Sequence, residues 1–88
     1  MLRILSIEDC KGIFIGYVED GEVFKRFEVS PQETRFIAEY PKSEYGEYEH
    51  FAAILGKFDP YTRFFKEPKE VAKLDYQGLE ALARKEEP

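Results

Sequence analysis

The sequence predicts an α+β domain: a three-stranded antiparallel meander followed by about three helices packed on the sheet. Three observations carry that expectation. Asp20-Gly21 separates two runs rich in apolar and β-branched residues, as a hairpin turn does. Ser30-Pro31-Gln32-Glu33 has the residue order of a helix start. Tyr48, Phe51, Ala52 and Leu55 recur at the spacing of one helix face.

Taken in order, Leu2–Ile7 (LRILSI) reads as a first strand, and Glu8–Gly12 as a polar connection. Ile13–Val18 and Val23–Val29 are the second and third strands. With Asp20 and Gly21 as the two loop residues of a type I′ turn, Tyr17 faces Phe24, Gly16 faces Lys25 and Phe14 faces Phe27. Alternation then assigns Phe14, Val18, Val23, Phe27 and Val29 to one face, with Lys25 among them. The other face shows Ile13, Ile15, Tyr17 and Phe24, with Arg26 and Glu28 at its margin.

From Ser30 the pattern predicts a helix carrying Phe36, Ile37 and Tyr40, stopped by Pro41. Lys42–Gly46 is loop, and Glu47–Lys57 is a second helix ending near Gly56. Tyr61–Lys66 fits a strand or a helical turn equally, and Val71 and Leu74 fit a helix or a short strand. Asp75 caps a last helix carrying Leu79, Leu82 and Ala83, and Glu86, Glu87 and Pro88 fray its end.

A sheet apolar on both faces needs two covers. Burying Ile13, Ile15, Tyr17 and Phe24 contributes about 6–12 kcal/mol in all, against a net domain stability of about 5–15 kcal/mol. The second face is therefore expected to be covered, either by the chain's own C-terminal helices in a three-layer arrangement or by a second copy or partner.

Composition bounds the class. A chain of 88 residues, 43% apolar and 16% aromatic, is long enough for one packed domain spanning residues 1–88. No apolar run approaches the roughly 20 residues of a membrane span, and MLRILSIEDC lacks a signal-peptide cleavage site. With one cysteine there is no internal disulfide framework, and a cytoplasmic setting is expected. The formal net charge of −5 disfavours nucleic-acid backbone as a partner. Abundant Lys, Glu and Arg with no Asn resembles thermophile usage.

Catalytic and metal motifs are not legible. His50 and Cys10 are each the single residue of their type, so neither has a zinc-type or nucleophile–base companion in sequence. Gly12-Ile13-Phe14-Ile15-Gly16 lacks the Gly-Lys-Ser/Thr of a phosphate loop. The acidic, tyrosine-rich run Glu39–Glu49 suits an interface, because tyrosine offers large area with a polar tip. No cofactor is expected. The function expected is a non-enzymatic protein-interaction or regulatory module, binding another protein or a second copy of itself. Its contact surface is expected at Ile13, Ile15, Tyr17, Phe24, Tyr45 and Tyr48.

Ile4-Leu5-Ser6-Ile7-Glu8, a glycine, the apolar strand Ile13–Val18 and a hairpin together resemble the opening of ribonuclease-H-like folds. In that family an acidic residue ending the first strand binds metal, a position Glu8 or Asp9 would hold. The resemblance covers about a third of the chain, and the family's Asp-x-Gly is missing. It implies an alternative: a nucleic-acid-binding or degenerate ribonuclease-H-like protein using Glu8, Asp9 and a basic segment of Lys66, Lys69 and Lys73.

Overall fold

The structure, a computed structural model, describes residues 2–86; Glu87 and Pro88 lie outside the described residues. Its elements are β1 (Leu2–Cys10), β2 (Ile13–Asp20), β3 (Val23–Val29), β4 (Thr34–Pro41), α1 (Lys42–Tyr45), α2 (Tyr48–Phe58), β5 (Lys69–Val71) and α3 (Tyr76–Glu86). The strands form one antiparallel sheet in the order β4-β3-β2-β1-β5. The α+β class is as expected, but the sheet has five strands rather than three.

β1 runs through Glu8, Asp9 and Cys10, the stretch expected to be a connection. Lys11 (φ 54°) and Gly12 (φ 87°) both adopt left-handed backbone, so they make a two-residue turn that pairs Cys10 with Ile13. A bulge at Leu5 shifts the register between Ile4 and Ser6.

The β2–β3 turn is Gly21-Glu22, not Asp20-Gly21. Asp20 pairs with Val23, and Gly21 takes φ 63° while Glu22 stays out of the left-handed region, the order of a type II′ turn. Each residue of β2 therefore meets a partner two positions further along β3. Tyr17 lies opposite Arg26, and Phe14 opposite Val29. This register sets Phe27 across from Gly16, where a Cβ would approach the Phe27 ring to 2.9 Å and the Ser6 carbonyl oxygen to 2.1 Å. A displacement of two leaves every side chain on its expected face.

The helix expected from Ser30 is strand β4. The cap itself forms: the Ser30 Oγ accepts the N–H groups of Gln32 (3.3 Å) and Glu33 (3.1 Å). It closes a hairpin loop instead of opening a helix. β3 would otherwise leave an unpaired edge, and Thr, Phe, Ile and Tyr suit a strand. Pairing jumps from Arg26↔Ala38 to Phe27↔Phe36, so Ile37 is a bulge residue. That bulge puts Phe36 and Tyr40 on opposite faces. The apparent helical stripe is thus a strand whose alternation is broken once.

α2 forms where the spacing placed it. At α3, the Asp75 carboxylate accepts the Gly78 N–H at 2.8 Å, which is the expected cap. Val71 falls in the short strand β5, and the 61–66 segment is neither strand nor helix.

Two cores result, one on each sheet face. Ile4, Phe14, Val18, Phe27 and Val29 pack with Leu74 and with Leu79 of α3. Leu5, Tyr17 and Phe24 pack with Tyr48, Phe51 and Leu55 of α2. The chain's own helices cover both faces, in a helix–sheet–helix stack. Glu19, only 7% exposed, joins β2 to β1 and to the start of α1 by ion pairs to Arg3 and to Lys42 (2.6 Å).

Candidate functional site

The two covers differ in reach. α2 has 11 residues and so is about 16 Å long, whereas the 8 residues of β2 extend about 26 Å. One short helix cannot shelter the whole second face. It takes the end holding Tyr17, Phe24 and Leu5, and the end nearest the β1–β2 turn is left over.

Of the surface residues expected from sequence, Tyr17, Phe24 and Tyr48 are 2%, 0% and 8% exposed, and Tyr45 packs against Tyr40 and Phe51. Tyr17, Phe24 and Tyr48 are buried in the second core and offer no free surface, and Tyr45 is half-buried against it. Ile13 and Ile15 remain half-buried on the open end of the same face.

Ile15 floors a groove of about 250 Å³ whose walls are β1 at Ser6–Glu8 on one side and Tyr61–Arg63 on the other. Arg26 closes one end. Its guanidinium donates to the Tyr17 hydroxyl at 2.9 Å, lies over that ring, and is 3.8 Å from Asp59. Burial works against the Arg26 charge, but the Tyr17 and Asp59 contacts outweigh it and hold the pKa above its ordinary value. The Asp59 carboxyl is held below its ordinary value, chiefly by the Thr62 hydroxyl and also by the Tyr61 N–H and Arg26. Asp59-Pro60 is thus a turn in which the Asp59 side chain accepts from residues two and three positions on. That turn lifts Tyr61 into solvent, where it is 85% exposed beside Phe58 at 81%.

Along the same face, Ile13, Glu28 and Arg35 line a second hollow of about 230 Å³, with Arg35 3.8 Å from Glu28. Both hollows are smaller than the roughly 300–1,000 Å³ of most small-molecule sites. They match side chains of a partner better than a cofactor.

The remaining candidates are dispersed. Glu8, Asp9 and Cys10 are exposed at the end of β1, and His50 is exposed on α2 beside Gly46. Among the described residues no three His, Cys, Asp or Glu side chains are grouped to hold a metal ion. Lys69 lies over the Phe65 ring and Lys73 is 4.0 Å from Asp75. No described helix is long and apolar enough to cross a membrane.

Sequence reasoning named Ile13 and Ile15 as surface candidates and set Arg26 only at the margin of that face, and it did not name Tyr61 or Arg63. The available signal was Asp59-Pro60, a turn-forming pair directly before an aromatic. Comparison with protein-family models, curated proteins and solved structures finds no match to the chain.

Proposed function

We propose that the chain is a protein-interaction module without chemistry of its own, and that its contact surface is the open end of the second sheet face. The observation that carries this reading is the groove over Ile15. Its Ile15 floor is left uncovered by α2, and the Tyr61 ring that lines it is 85% exposed. Large exposed aromatics beside an apolar hollow are typical of contact surfaces, where Tyr and Arg carry much of the binding energy. Nothing in the placement of Lys66, Lys69 and Lys73 favours the nucleic-acid alternative over this one.

The test is a photo-crosslinking residue at position 61 used in extract of the native host, with Ile15→Asp as the paired variant. A single partner protein is expected, and Ile15→Asp should lower its capture about tenfold, with circular dichroism confirming that the variant still folds. Capture that is indifferent to Ile15→Asp, or no capture at all, removes the reading.

A further inference from the structure

The groove has one wall made of backbone that lacks a partner. β5 pairs with β1 only at Leu2, Arg3 and Ile4, and the Phe65 N–H then donates to the Leu5 carbonyl at 2.8 Å. Beyond that point, among the described residues, no strand or loop pairs with the outer side of β1. The open length is Ser6–Cys10, about 16 Å of strand.

Which groups face outward follows from the turn. A two-residue loop closed by Cys10 and Ile13 makes that pair the doubly bonded one, so Cys10, Glu8 and Ser6 turn their N–H and C=O toward β2. Asp9, Ile7 and Leu5 turn theirs away. The Leu5 carbonyl accepting Phe65 on that outer side agrees with the assignment. Ile7 and Asp9 therefore present two N–H donors and two carbonyl acceptors in a row.

Such edges are commonly blunted, and the opposite edge of this sheet is. β4 carries the Ile37 bulge and ends in Pro41, which has no N–H to offer. From Ser6 to Cys10 the pairing is regular and contains neither device.

We propose that β1 takes up an extended segment of a partner protein as an added strand along Ser6–Cys10, with basic residues set against Glu8 and Asp9. This rests on the interaction reading above and names how the partner binds. Glu8 and Asp9 are exposed, one on each face, and among the described residues neither is in an ion pair. A second copy pairing antiparallel along the whole of Ser6–Cys10 would centre on Glu8 and set it against its own counterpart, and like charges opposite each other destabilise a strand pair. A foreign basic segment gains where a second copy loses. Arg63 stands across the groove from β1, so two local basic residues fit better than a uniformly basic run.

The test selects random nine-residue peptides displayed on phage against the wild-type protein, with Asp9→Pro as the counter-selection. Proline is tolerated there because the Asp9 N–H points out of the sheet. Circular dichroism confirms that the variant folds, and Asp9→Lys serves as a second variant. The expected result is enrichment of extended peptides with Lys or Arg. A synthetic binder at about ten times its Kd should slow amide exchange at Ile7 and Asp9 by about tenfold. Asp9→Pro should weaken it by about tenfold, and Asp9→Lys should turn the selection toward acidic peptides. No enrichment over Asp9→Pro overturns the proposal. So does protection of Ile7 and Asp9 that rises with protein concentration alone, which would seat a second copy on the edge. Binders that survive Asp9→Pro but are lost on Ile15→Asp overturn strand addition while leaving the interaction surface standing.

Discussion

Phe51→Ala is the perturbation that most directly tests whether α2 is the cover of the second face. Phe51 is fully buried, and its ring stacks on Phe24 with centroids 4.2 Å apart and planes 15° from parallel. Tyr17, Tyr45 and Phe64 approach it edge-on at 5.7, 6.0 and 6.3 Å. Removing such a ring costs about 3–5 kcal/mol, and the rigid aromatic walls around it limit collapse into the cavity. For 88 residues the whole stability is on the order of 4–13 kcal/mol, so the variant should sit at or near the edge of folding.

Phe51→Leu keeps the experiment readable. It should cost about 1.5 kcal/mol and lower the thermal midpoint by about 10 °C. Urea unfolding followed by circular dichroism gives both numbers, and the slope with denaturant should stay constant if one cooperative unit unfolds. Leu79→Ala on the other face is the matched control at about 2–5 kcal/mol. A cost below about 1 kcal/mol for Phe51→Ala with an unchanged slope would refute burial by α2. A midpoint that rises with protein concentration would show a second copy doing the covering instead.

Three further outcomes follow from named positions. The Glu19 carboxyl resists burial, which alone would raise its pKa, but hydrogen bonds from Lys42 and Arg3 bring it below the ordinary 4.5. A lowered folded pKa means the stabilisation is present above the unfolded value and is lost as pH falls below it. Glu19→Gln should therefore cost about 3 kcal/mol at neutral pH, with the gap to wild type narrowing below about pH 4.5 in urea titrations; a constant gap would contradict the pairing. Gly16→Ala, whose Cβ would meet the Ser6 carbonyl oxygen at 2.1 Å, should cost about 3 kcal/mol or leave the chain unfolded. Gly56→Ala, with open space around it in α2, should instead stabilise by about 1 kcal/mol, both read by the same denaturation assay.

What could be read from the chain divides by how local the determinant is. α2 and the Asp75 cap of α3 were legible because spacing and capping act within one turn. β4 was not, since Ser30-Pro31-Gln32-Glu33 serves a helix start and a hairpin loop equally well. Only the unpaired edge of β3 decides between them, and that edge is a tertiary fact. β5 and the 61–66 segment were ambiguous for the same reason. Their path is set by Phe65 donating to Leu5, by the Tyr48 hydroxyl donating to the Phe65 carbonyl, and by Phe64 packing on Tyr17.

The hairpin shows why a misplaced turn left the larger inference standing. Moving the loop from Asp20-Gly21 to Gly21-Glu22 changes every pair but shifts partners by an even number. Side-chain direction in a strand has period two, so an even slip preserves both faces and an odd one exchanges them. The second face therefore stayed apolar and still required a cover. Only the identity of the cross-strand neighbours changed, and that change has a consequence at the candidate site. Tyr17 meets Arg26 rather than Phe24, and the guanidinium reaches the phenol at 2.9 Å with Asp59 behind it. The shifted register thus sets the fixed charge beside Tyr17 at the end of the groove, where an unshifted one would have set Phe24 beside Tyr17 and Arg26 opposite Ile15.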